Sequence, residues 1–256
     1  MSMGKAARKR LKLVHDGSTY EELEFNTRPL RLTGIQSKSF KMRTCVPITQ
    51  TQQQTFTAFE KGDNLLLHGL AGTGKTFISM YLALKEVLEE QNYKQVVVVR
   101  SVVPTRDIGF LPGNVKEKSK IYEGPYHAIC NELFGRGDAY DILKAKNTIE
   151  FMTTSFLRGT TLSNCIVIVD EVNNMTLHEL DSVITRLGKN CRILFCGDFR
   201  QSDLSKENER RGLMEFMKIL QNMRSFSHIE FTHEDIVRSG LVKQYIITKD
   251  RLGIYT

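Results

Sequence analysis

Residues 69–76 read Gly-Leu-Ala-Gly-Thr-Gly-Lys-Thr, and few eight-residue strings restrict a fold as tightly. The apolar run Leu65-Leu66-Leu67 precedes them and a helix-like stretch, Phe77 to Glu90, follows, so strand, loop and helix come in immediate succession. Glycines within the loop let consecutive backbone N–H groups turn inward around an anion, and the following helix points its positive end at the same place. In such a loop Gly69, Leu70, Ala71, Gly72, Thr73 and Gly74 wrap the β- and γ-phosphates of a nucleoside triphosphate. Lys75 reaches the phosphate oxygens as a point charge, and the Thr76 hydroxyl ligates Mg²⁺. The expected cofactors are ATP and Mg²⁺.

Short apolar runs alternate with helical patterns along the rest of the chain. Strands are predicted at Asn64–His68, Val96–Val99, Thr148–Met152, Ile166–Val169, Arg192–Cys196 and His228–Phe231. Helices are predicted at Gln52–Phe59, Phe77–Glu90, Leu177–Leu187, Glu209–Leu220 and Ile236–Ile247. Unbroken runs such as Val96-Val97-Val98-Val99 suit strands covered on both faces, which implies an α/β fold with a mostly parallel central sheet between helical layers. The segment 101–147 exceeds a simple connection and is expected to form its own helices and a functional loop.

Within the first 50 residues ten basic side chains oppose four acidic ones, a net +6 out of the chain's +7. This divides the chain into a basic arm, residues 1–44, and a nucleotide-binding domain, residues 45–256. Such an arm suits a polyanionic partner, although charge alone describes a solvated tail equally well. The five cysteines form no C-x-x-C pair and have no matching histidines, which argues against zinc and disulfides and fits a reducing cytoplasm. No apolar window reaches the length of a membrane helix, and no secretory pattern opens the chain, so neither membrane insertion nor export is expected.

A second strand, Cys165 to Val169, ends in Asp170-Glu171. With the loop upstream this is the Walker B arrangement: Asp170 would hold Mg²⁺, and Glu171 would position and polarise the attacking water. A third strand runs into Gly197-Asp198-Phe199-Arg200-Gln201, whose Gln201 would accept from that water and donate to the γ-phosphate. The pair Glu171 and Gln201 favours hydrolysis over transfer to a metabolite.

Taken in order, Gln52, the two Walker elements, Gly109-Phe110-Leu111-Pro112-Gly113, Leu157-Arg158-Gly159-Thr160-Thr161-Leu162 and Gly197-Asp198-Phe199-Arg200-Gln201-Ser202-Asp203-Leu204 resemble the PhoH family of phosphate-starvation-associated ATPases. The resemblance runs from about Pro47 to Ile247, and the chain is similar to the short members of tailed bacteriophages.

That family in turn resembles the first motor domain of superfamily 1 helicases, which implies a RecA-like P-loop NTPase of three layers and a single-stranded nucleic-acid partner, with RNA favoured over DNA. The resemblance gives Gln52 the task of reading adenine, with Gln53 and Gln54 following directly. It also makes Arg238 the arginine that touches the γ-phosphate, the alternative being a surface-paired structural residue. Arg100 and Ser101 fall where such helicases contact a nucleic-acid backbone. Phe110 would stack on a base, or else pack with Leu111 into the domain or a neighbour. A helicase closes its site between two motor domains, so this resemblance implies a homo-oligomer, in the form of a hexameric ring, with Arg238 acting on a neighbour's nucleotide, the alternative being action within its own subunit. The activity implied is ATP hydrolysis coupled to nucleic-acid binding, as a helicase or translocase. The alternative is an ATP-gated binding or scaffold protein.

Overall fold

A computed structural model describes residues 10–13, 20–23, 40–101, 115–157, 159–199 and 207–254. The chain divides into two units, residues 1–40 and 41–256, so the larger unit begins four residues before the expected boundary. In the smaller unit, strands β1 (Arg10–Leu13) and β2 (Tyr20–Leu23) pair antiparallel with Arg10 opposite Leu23. Sequence periodicity had marked no strand here, because two four-residue strands are too short to establish one.

The larger unit is built on six strands: β3 (Asn64–Gly69), β4 (Gln95–Arg100), β5 (Ile149–Thr153), β6 (Cys165–Asp170), β7 (Cys191–Gly197) and β8 (Phe226–Phe231). They pair in the order β5-β4-β6-β7-β3-β8, every pair parallel. All six coincide with the predicted strands to within two residues at each end. The continuous apolar runs are explained by burial on both faces: Val96 to Val99 and Cys165 to Val169 are fully buried.

Alternate residues serve opposite layers. Phe195 meets Phe216 edge-on at 5.2 Å, on the face covered by α5 (Leu177–Ile184) and α6 (Glu207–Gln221). Its neighbour Cys196 points the other way and lies 3.1 Å from Ser79 of α2 (Lys75–Lys85). Alongside α2 lie α1 (Gln50–Glu60) and α3 (Val115–Phe134), and α3 packs in turn on α4 (Ala139–Ala145). The result is the expected three-layer α/β sandwich. The helices α3 and α4 also bear out the expectation for segment 101–147, although Gly109–Gly113 lies outside the described residues.

One predicted helix is displaced. The apolar pattern predicted a helix from Ile236, but α7 spans Gly240–Arg251. A short 3₁₀ turn, His233–Asp235, is closed by a capping box between Thr232 and Asp235, and Ile236 leaves it extended. The Val237 N–H then donates to the Gly72 carbonyl at 3.2 Å, so the phosphate loop takes a bond that a helix would have used.

Parallel pairing brings the C-terminal ends of the strands to one edge. Arg100 stands beside Asp170, His68 beside Gly197 and Gly69 beside Phe231. Among the described residues no helix is long and apolar enough to cross a membrane.

Candidate nucleotide site

The glycine-rich loop leaves β3 at Gly69 and enters α2 at Lys75, and it is shaped by backbone conformations that disfavour side chains. Gly69, Gly72 and Gly74 have φ of 114°, 75° and 87°. At Gly69 a Cβ would fall 2.0 Å from the Phe231 carbonyl oxygen, so only glycine lets β3 and β8 approach as they do. Lys75 is buried, and its ammonium donates to the carbonyls of Gly69 (2.9 Å) and Leu70 (2.8 Å). Burial lowers its pKa, while Asp198, Asp170 and Glu171 pull it back up.

Thr76, the next residue, donates its hydroxyl to Asp170 Oδ1 at 2.8 Å. The other carboxylate oxygen, Oδ2, accepts from the hydroxyl of Tyr126 at 2.9 Å. Tyr126 lies on α3 and is fully buried, and burial together with the adjoining carboxylate pushes its phenol well above its ordinary pKa, so it remains a donor. A lone tyrosine in a segment without motifs gave no sequence signal for this role.

Glu171 follows Asp170 in the left-handed region, φ 53° and ψ 45°, an unusual conformation for a residue with a side chain. It turns the chain off β6 so that Glu171 also lines the cleft, where Arg100 approaches it at 3.9 Å. Burial first, and Asp170 second, raise the Glu171 pKa, with Arg100 and Lys75 opposing them. Asn173, in the turn that follows, accepts from the Asp198 N–H at 3.1 Å and so ties the end of β6 to the end of β7. Gln201 lies outside the described residues, as do Phe110 and Arg158.

The loop, Asp170, Glu171, Asp198 and Arg100 border one cleft of about 950 Å³. Gln52 borders it too, buried in the first turn of α1 behind the N-cap Thr49, whereas Gln53 and Gln54 face outward. Of the three adjacent glutamines, only Gln52 borders this cleft.

Ser101 and Arg238 take specific places in the structure. Ser101 is buried and its hydroxyl donates to Glu179 at 2.8 Å. Glu179 also accepts from Thr154 and closes the capping box of α5, so Ser101 takes part in an internal network, while Arg100 borders the cleft. The spacing Thr176-x-x-Glu179 was a legible signal for the box. Arg238 borders its own chain's cleft: its Cγ is 3.0 Å from where a Cβ on Gly72 would stand. The Val237–Gly72 bond holds it there.

This set suits a triphosphate with a divalent cation. An ammonium bonded to neutral oxygens can turn to phosphate, and Thr76 and Asp170 already meet where an octahedral cation needs one hydroxyl and a carboxylate beside phosphate oxygens. Fold and loop together define a P-loop NTPase domain.

The sequence pattern of the family described as PhoH-like protein matches residues 44–249, and the chain belongs to that family. It is 31% identical over 204 residues to a PhoH-like protein of Bacillus subtilis, covering 79% of this chain and 63% of the relative. It is 30% identical over 197 residues to Protein PhoH of Escherichia coli, covering 76% and 55%. The chain thus spans less than two thirds of the length of these relatives. Among solved structures, the large terminase of a thermophilic bacteriophage overlaps 78% of this chain and 50% of its own, at a TM-score of 0.46 and 14% identity.

Proposed function

We propose that this protein is a Mg²⁺-dependent ATP hydrolase whose turnover is coupled to binding of single-stranded nucleic acid, RNA in preference to DNA. The observation that carries the hydrolase reading is the Thr76–Asp170 bond with Glu171 as the next residue and Lys75 behind it. In the bound state Lys75 moves from the Gly69 and Leu70 carbonyls to the β/γ oxygens, and the loop N–H groups take the remaining phosphate charge. Thr76 and Asp170 would hold Mg²⁺, and the cation would supply charge neutralisation at the phosphates. Glu171 accepts a proton from the attacking water, and its raised pKa makes it a stronger base than an exposed glutamate. Gln201 is proposed to orient the same water. Arg238, lying against its own loop, supports stabilisation of the γ-phosphate from within one chain.

The nucleic-acid half rests on the basic arm and the family resemblance, with Phe110 as the proposed stacking residue. A homo-oligomeric ring is part of the proposal. The location proposed is cytoplasmic. The test is phosphate release from ATP by the wild type and by Lys75→Ala, with and without single-stranded RNA or DNA, beside a mass measurement in solution. Stimulation by RNA supports coupling. Unstimulated turnover leaves an ATP-gated binding protein, and equal turnover by Lys75→Ala removes the hydrolase reading.

A further inference from the structure

Asp170 has two carboxylate oxygens, and the fold engages each with a different hydroxyl. Oδ1 accepts from Thr76 at 2.8 Å and Oδ2 accepts from Tyr126 at 2.9 Å. An ionised carboxylate can only accept, so both hydroxyls are donors. The single hydroxyl hydrogen of Thr76 is therefore directed at Asp170, which leaves the lone pairs of its oxygen for a cation. Rotation of the carboxylate would carry that hydrogen with it and turn the lone pairs away. The bond from Tyr126 opposes the rotation, because breaking it would strand a buried donor and a buried acceptor together: Tyr126 is 0% exposed and Asp170 5%. Arg100 stands beside Asp170 in the strand register and acts on the same phenol, so an Oδ2 deprived of its hydroxyl would be drawn toward that guanidinium. Tyr126 does not itself border the cleft, and it can influence a ligand only through Asp170.

On the reading of this cleft as a nucleotide and Mg²⁺ site, we infer that Tyr126 is a positioning residue: its hydroxyl holds Asp170, and through Asp170 the hydroxyl of Thr76, in the orientation a cation requires. It thereby sets the affinity for the metal-bound nucleotide and leaves that for the metal-free nucleotide alone. The device belongs to α3, which contributes through this one phenol to a site whose other parts lie at the strand ends and the phosphate loop.

Titration calorimetry with AMPPNP, an ATP analogue whose β–γ bridge is a nitrogen and resists cleavage, tests this without any measure of turnover. Wild type and Tyr126→Phe are each titrated in excess Mg²⁺ and again in EDTA. The substitution removes one oxygen and keeps the ring that packs 5.8 Å from Phe151, so the variant is expected to fold as the wild type does. In EDTA the two proteins should bind AMPPNP within about twofold of each other, since the loop and Lys75 are unaltered. In Mg²⁺ Tyr126→Phe should bind roughly tenfold more weakly than the wild type, the effect of losing one hydrogen bond to a charged group. Undiminished binding in Mg²⁺ overturns the inference. So does an equal loss in both buffers, which is what a merely structural role or a misfolded variant would give. Failure of the wild type to bind AMPPNP at all would overturn the nucleotide site itself, and binding by the wild type that gains nothing from Mg²⁺ would overturn the metal site. Both of those results are read on the wild type alone and are distinct from the first set.

Discussion

The hydroxyl of Thr51 donates to the Asp235 carboxylate at 3.0 Å, joining residues 184 positions apart. Thr51 precedes Gln52 in α1, and Asp235 closes the turn that leads to Arg238. The same Oδ2 accepts the Thr232 N–H at 2.8 Å, and the carboxylate is almost fully buried. The helix that carries Gln52 and the turn that leads to Arg238 are thus braced through one side chain. Asp235→Ala removes the acceptor from two part-buried bonds and is expected to destabilise the fold by about 1 kcal/mol. In a cycle of Thr51→Val with Asp235→Asn, urea denaturation should show a coupling of about 1 kcal/mol. A coupling near zero would mean that the pair contributes nothing.

Gly69→Ala should be the most damaging conservative change in the loop. The new methyl group would meet the Phe231 carbonyl in a strand pair that cannot separate without exposing the core. A loss of about 3 kcal/mol or more is expected from overpacking and the unfavourable φ together, read by chemical denaturation. Wild-type stability would show that β8 yields freely.

Glu171→Gln should bind ATP with Mg²⁺ and release almost no phosphate, because Thr76, Asp170 and Lys75 keep their places while the base is lost. The raised pKa also sets a pH dependence. As the proposed base Glu171 would work only when ionised, so wild-type kcat should fall as pH drops through a value above the ordinary 4.5. A raised pKa in the folded state has the opposite effect on stability: the protonated group favours folding, and that contribution fades as pH rises through the raised value. Glu171→Gln removes this titration and should melt no lower than the wild type at pH 8. A lower melting temperature would show that the ionised carboxylate stabilises the fold.

Arg238→Ala should retain ATP binding and turn over slowly, since an arginine at the departing phosphate contributes about 10³–10⁵ to the rate in related chemistry. With Arg238 beside its own Gly72, mixing Arg238→Ala with Lys75→Ala protein should restore no activity. Recovery in the mixture would show that the residue reaches a second copy.

The sequence by itself determined the strand–loop–helix unit, the six strands and the roles open to Lys75, Thr76, Asp170 and Glu171. These follow from local rules: a glycine loop admits few conformations, and a doubly buried strand must be apolar along its length. Tertiary structure decided what depended on partners distant in the chain. It chose Gln52 over Gln53 and Gln54, since only one residue of three successive helical positions faces the cleft. It turned Ser101 inward to Glu179 and set the Tyr126 hydroxyl on Asp170, pairings 78 and 44 residues apart that no spacing encodes. It delayed α7 until Gly240, because the Val237 N–H found its acceptor at Gly72, and that one long-range bond left Arg238 at its own phosphate loop.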